Sequence, residues 1–141
     1  MTLLLPTQLA LVSATLIFVA ALFLGVWKFY EMVKSPVGQA HVYVDIAHRA
    51  ALLYSFATAM FAPLVQFNTW SANQNAAAVS VLVFFFVANI ANYVRLGWSK
   101  ATTNQLVPVP RSATVVVLAQ LVAEVGAAGF ILSGFVIDQW G

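Results

Sequence analysis

The residues able to do chemistry in this chain are few, and they gather at three places. The first reads His41-Val42-Tyr43-Val44-Asp45-Ile46-Ala47-His48-Arg49. Residues three, four and seven apart share one face of a helix, a spacing that His41, Asp45 and His48 satisfy and Tyr43 does not. Asp45 and Arg49 stand i,i+4 and can neutralise each other. His48 lies inside an apolar run, where an imidazole is costly enough to count as a candidate ligand or acid–base group. The plain alternative is an interfacial helix start closed by a local ion pair. His41 and His48 are poorly placed to clasp one metal from both sides, because on one helix they are separated by about 10 Å along the axis. A metal held by one of them takes its other ligand elsewhere or keeps a position open, and an open position is what Lewis-acid chemistry requires.

The second place is Ala88-Asn89-Ile90-Ala91-Asn92-Tyr93. Asn89 and Tyr93 are i,i+4, and Asn92 is i+3 from Asn89. An amide and a phenol on one face can orient a bound oxygen, or they can simply bridge helices in a membrane bundle. The third is Glu124, with Gln120 one turn before it. A carboxylate in the middle of a span must be neutral, paired or wet; it either sits protonated in the bundle or couples to a proton. The chain has no glycine-rich phosphate loop, no HExxH pattern and no serine-nucleophile elbow. With no cysteine, it also has no disulfide, thiolate metal site or thiol nucleophile.

The elements that must position these groups follow from composition. Hydrophobic residues make up 62% of the 141 residues and charged residues 7%, against about 25% charged in a soluble domain. Lipid is the solvent that suits such a chain. A spanning helix needs about 20 largely apolar residues, and four stretches qualify: 8–27, 46–67, 76–96 and 112–137. The predicted fold is therefore all-α, an integral membrane four-helix bundle forming a single domain over residues 1–141. The first run has no basic segment before it and no clear small-residue cleavage site near Gly25, so it reads as a retained span and not a signal peptide. Pro108 and Pro110 stop helix propagation in the longest loop, and Pro63 is expected to kink the second span. Trp27, Trp70, Trp98 and Trp140 fall near predicted ends, at the headgroup level that indole favours. Gly126 and Gly129 would allow a close helix approach or an oligomer contact.

Basic residues set the expected orientation. Lys28 and Lys34 follow the first helix, and Arg95, Lys100 and Arg111 follow the third. The positive-inside rule puts both connections in the cytoplasm and the termini outside, in a bacterial-type cell membrane. There is no basic face with interleaved aromatics, so nucleic acid is not a partner. The start of the second helix and the end of the third then share one depth, and their polar residues can meet.

With order, spacing and depth in hand, the constellation resembles the styrene oxide isomerase family of small four-helix membrane enzymes. In that family an Ala-His pair opens a helix, and an Asn and a Tyr four apart follow on the next. Ala47-His48 matches the first element, Asn89 and Tyr93 match the second, and the interval from His48 to Tyr93 agrees with the family spacing. The loop pair Asn104-Gln105 is a weaker match. One departure stands out: the family carries a second pocket Asn about two turns after the His, where this chain has Leu52-Leu53-Tyr54-Ser55, so Tyr54 or Ser55 would have to stand in. The resemblance implies haem b bound between the subunits of a homo-oligomer, a trimer, with His48 as axial ligand. It also implies a hydrophobic epoxide as substrate, isomerised to an aldehyde by ferric iron acting as a Lewis acid, with Asn89 and Tyr93 aligning it. Two other readings of the same residues are a haem- or quinone-binding anchor subunit of a respiratory complex and a small proton-coupled transporter built on Glu124.

Overall fold

The computed structural model describes residues 2–107 and 111–141. Its helices are α1 (Leu5–Lys34), α2 (Val42–Gln66), α3 (Ala72–Ser99) and α4 (Arg111–Trp140). Each helix is longer than the apolar stretch that predicts it, although α2 stops at Gln66, one residue short of the predicted end. Pro6 occupies the first turn of α1, where its missing N–H costs nothing. α2 is capped by His41, whose Nδ1 accepts from the Tyr43 N–H at 3.3 Å. α3 opens on a capping box made by Ser71 and Gln74 and closes on Lys100 in the left-handed region, φ 51°. Pro63 lies within α2, which runs on to Gln66. Pro108 and Pro110 lie outside the described residues.

Consecutive helices run antiparallel. The carbonyl side chain of Gln66, at the end of α2, accepts from Thr7 Oγ1 at 2.7 Å, at the start of α1. Val44, at the start of α2, meets Gly97, at the end of α3. Helices α1 and α3, with residues 114–140 of α4, are long and apolar enough to cross a membrane. The chain is thus a multi-pass helical membrane protein.

The second helix differs from the four equivalent spans expected. It is not among the helices apolar enough to qualify alone, because it carries Asp45, His48, Arg49, Tyr54, Ser55 and Thr58. It is shorter than its neighbours, yet its 25 residues, about 37 Å at 1.5 Å per residue, still exceed the roughly 30 Å of a bilayer's hydrocarbon core. Neighbouring helices and its own backbone satisfy much of its polarity: the hydroxyls of buried Ser55 and Thr58 donate to the carbonyls of Leu52 and Tyr54, each at 2.7 Å. Small residues allow the close approach. Ala10, Ala21, Ala47 and Ala51 are fully buried, and a Cβ at Gly97 would stand 2.9 Å from Val44 Cγ2 and 3.1 Å from its backbone nitrogen.

The fourth helix is attached chiefly at one end. The Trp70 indole N–H donates to the Phe130 carbonyl at 3.0 Å, and Asn68 Nδ2 donates to the Ile131 carbonyl at 2.8 Å. The Trp70 and Phe130 rings stack at 5.3 Å. Trp70 therefore does more than mark a helix end: it ties the α2–α3 turn to the far half of α4. The near half stands apart, with Val115 and Val122 exposed by 67% and 73%.

Candidate functional site

Where α4 stands away from α2 and α3, a cavity of about 370 Å³ opens. Tyr54 enters it from α2, and Asn89, Asn92 and Tyr93 from α3. Gln120 and Glu124 close it from α4 together with the apolar side chains of Val116, Val117 and Leu121, and Gln105 lies at its loop end. The helical period alone lines up Asn89, Asn92 and Tyr93 on one face. The packing brings Tyr54 to them.

Hydrogen bonds and stacked rings hold this wall. Asn89 Nδ2 donates to the Tyr54 hydroxyl at 3.3 Å, and the Tyr54 ring lies flat on Phe86, with centroids 4.3 Å apart and planes 3° from parallel. Tyr93 stacks on Tyr43 at 6.2 Å. Tyr43 is buried, and its hydroxyl oxygen accepts the Gln105 backbone N–H at 2.7 Å. Helical spacing sets Tyr43 apart from the His41 face, yet it is the platform beneath Tyr93. At the cavity mouth Asn92 donates to Gln105 Oε1 and accepts from Arg95, both at 2.9 Å. On α4, Gln120 Nε2 donates to a Glu124 oxygen at 3.0 Å.

His48 does not line this cavity. It shares a depth with Tyr93, since the Tyr43–Tyr93 stack lies on one side of it and the Tyr54–Asn89 bond on the other. Its ring, however, turns toward α1. Its Nδ1 sits 2.9 Å from the Ala21 carbonyl oxygen. A carbonyl only accepts, so Nδ1 carries the proton, and in the neutral ring Nε2 holds the lone pair. Gly25 makes the seat: a Cβ there would lie 2.9 Å from His48 Cε1. Neither Ala21 nor Gly25 bears a chemical group that sequence reasoning could single out.

The remaining sequence candidates fall into place around these two features. Ser55 is buried away from the cavity, so Tyr54 is the residue that stands at its wall. Asp45 accepts from Arg49 at 2.7 Å, as the i,i+4 spacing predicts, and also from Lys28 on α1 at 2.6 Å. Asp45 precedes the apolar run of α2, and the Lys28 hydrogen bond holds its carboxyl below the usual carboxylate range. Arg49 borders an outer groove of about 260 Å³ whose wall includes Tyr54 and Tyr93. The two tyrosines thus separate the chamber from the outer surface of α2. A third ion pair, Glu31 with Lys100 at 2.7 Å, joins α1 to the end of α3, and Glu31 also accepts the His41 N–H at 3.0 Å. His41 is therefore a helix cap in a structural network.

Among the described residues there is no group of three His, Asp or Glu that could cage a metal ion. A porphyrin-held iron makes no such demand, because it needs as little as one protein nitrogen. No known protein family, curated protein or solved structure matches this chain.

Proposed function

We propose that this protein is a membrane-bound isomerase that converts a hydrophobic epoxide to an aldehyde with haem b held by His48. The observation that carries the reading is the state of that imidazole: Nδ1–H is committed to a backbone carbonyl, and Nε2 keeps its lone pair. Histidines that ligate metals are oriented in just this way, with the second nitrogen donating to a carbonyl or carboxylate. A porphyrin-held iron needs as little as one protein nitrogen, so His48 is the residue that would hold it. Ferric haem, when bound, supplies a Lewis acid for the epoxide oxygen.

The chain's own residues account for positioning and selectivity. Tyr93 and Asn89 present a hydroxyl and an amide on one wall of the chamber, where they can align the substrate oxygen. Tyr54 is braced by Asn89 and Phe86 and would stand in for the pocket Asn of the family that the sequence resembles. The substrate C–O bond breaks at the carbon that best bears positive charge. A hydride then moves to that carbon from its neighbour as the carbonyl forms, with no net redox change. Val116, Val117 and Leu121 keep water from that carbon, which would otherwise end as a diol. A greasy epoxide reaches such a chamber by partitioning into lipid.

His48 faces α1 while the chamber lies against α3 and α4. The reading therefore requires the imidazole of one subunit to meet the chamber of another, which favours a homo-oligomer, a trimer by resemblance. The basic connections after α1 and α3 favour a cytoplasmic location for that end of the bundle, in a bacterial-type cell membrane.

An absorption spectrum of the protein purified after expression with ample haem is the direct test. A Soret band is expected, and its absence removes the mechanism. His48→Ala should lose the band. Tyr93→Phe should keep it and lose turnover by on the order of a hundredfold. A reducible haem with two protein ligands would support a respiratory anchor subunit instead.

A further inference from the structure

The chamber holds an ionisable group for which isomerisation has no use. Glu124 projects from α4 into the cavity that Tyr54, Asn89 and Tyr93 line. Gln120, one turn earlier, donates to one of its oxygens at 3.0 Å and so limits its rotamers. Among the described residues lining the cavity, none is a cation. Arg95, the basic residue attached to this wall, is exposed and donates to Asn92 at 2.9 Å. A carboxylate at membrane depth is expensive unless it is neutral, paired or wet. A ligand that brings a cation removes that cost. The same cavity presents the two phenol rings of Tyr54 and Tyr93, and aromatic faces attract ammonium groups. Beside this polar end, Val116, Val117 and Leu121 offer an apolar wall, and about 370 Å³ is room for a single-ring molecule.

We infer that Glu124 determines specificity, and that the chamber prefers an amphiphile with a phenyl-sized body and a protonated amine over its hydroxyl or hydrocarbon analogues. The inference rests on the reading of this cavity as the substrate chamber and is independent of haem. If the proposed isomerase reading also holds, the favoured epoxide would be an amphiphile that pairs an apolar ring with an amino group.

The experiment measures binding of three probes with one carbon skeleton: 2-phenylethylamine, 2-phenylethanol and ethylbenzene. The full chain is held in discs of zwitterionic lipid, and free concentrations are corrected for partition into the lipid. A charge-assisted hydrogen bond predicts that the amine binds about tenfold or more tighter than ethylbenzene, with the alcohol between them. Glu124→Gln keeps the shape and the Gln120 contact, and it should abolish the amine's advantage while leaving ethylbenzene unchanged. Glu124→Asp, with helical content verified by circular dichroism, should retain part of it. Equal binding of amine and hydrocarbon to the unmodified protein, or amine binding unmoved by Glu124→Gln, overturns the inference. The absorption spectrum separates this outcome from the proposed function. A protein without a Soret band that still selects the amine loses the isomerase reading and keeps this one; a haem-loaded protein indifferent to the amine does the reverse.

Discussion

An imidazole ligates a metal through a nitrogen that keeps its lone pair, and it does so best when its ring is held in place. Two backbone features on α1 meet both conditions for His48. The Ala21 carbonyl takes the Nδ1 proton, and the bare Cα of Gly25 gives the ring a flat surface. Gly25 thus supports the histidine without bearing a ligand atom of its own. In Gly25→Ala the new methyl would press on Cε1 at 2.9 Å, so the ring must turn and lose its carbonyl. We expect haem occupancy to fall severalfold with His48 itself intact, and stability to drop by about 1–3 kcal/mol from overpacking. The Soret absorbance per protein, read beside a thermal melt, measures both. Full occupancy in Gly25→Ala would show that the seat does not hold the ring.

At the scale of elements, the fourth helix is the informative one. Its packing is one-sided along its length, with a tight latch on the α2–α3 turn and a chamber where it stands away. The latch depends on Gly134, where any Cβ would collide with Asn68 and Trp70. The backbone of the turn adds a bond from the Thr69 N–H to the Gly134 carbonyl at 3.3 Å. Gly134→Ala should push the indole off the helix and cost about 1–3 kcal/mol. The tryptophan emission should shift to the red as Trp70 leaves its stack on Phe130. Because His48 lies toward the other end of the bundle, haem binding should persist. An unchanged melt and emission would mean that α4 is held in some other way.

For the whole molecule, the decisive fact is that the His48 ring and the chamber belong to different sides of α2. One side meets α1 and the other meets α3. Under the proposed function, the imidazole of one subunit therefore serves the chamber of another. Co-expression of His48→Ala and Tyr93→Phe chains tests this. Each variant alone should be inactive or nearly so. Random mixing in equal amounts should restore about a quarter of the sites, those pairing an intact imidazole from one chain with an intact chamber from the next. No recovery on mixing would place both groups within one subunit and overturn the arrangement.

Composition and periodicity on their own determined the apolar solvent, the count and order of the helices, and the residues that share a face within each helix. They also determined the Asp45–Arg49 pair and the common depth of His48 and Tyr93, since these depend only on local spacing and on antiparallel connection. The tertiary structure alone decided which way each face points. It turned His48 toward Ala21 and Tyr54 toward Asn89, chose Tyr54 over Ser55 for the chamber, added Lys28 to Asp45, and gave Trp70 a partner on α4. The physical reason is that the 3.6-residue period fixes angles within one helix, whereas the rotation of a helix against its neighbours is set by close packing. In this bundle that packing is governed by residues without functional groups, Ala21, Gly25, Gly97 and Gly134, whose meaning lies in what they leave room for.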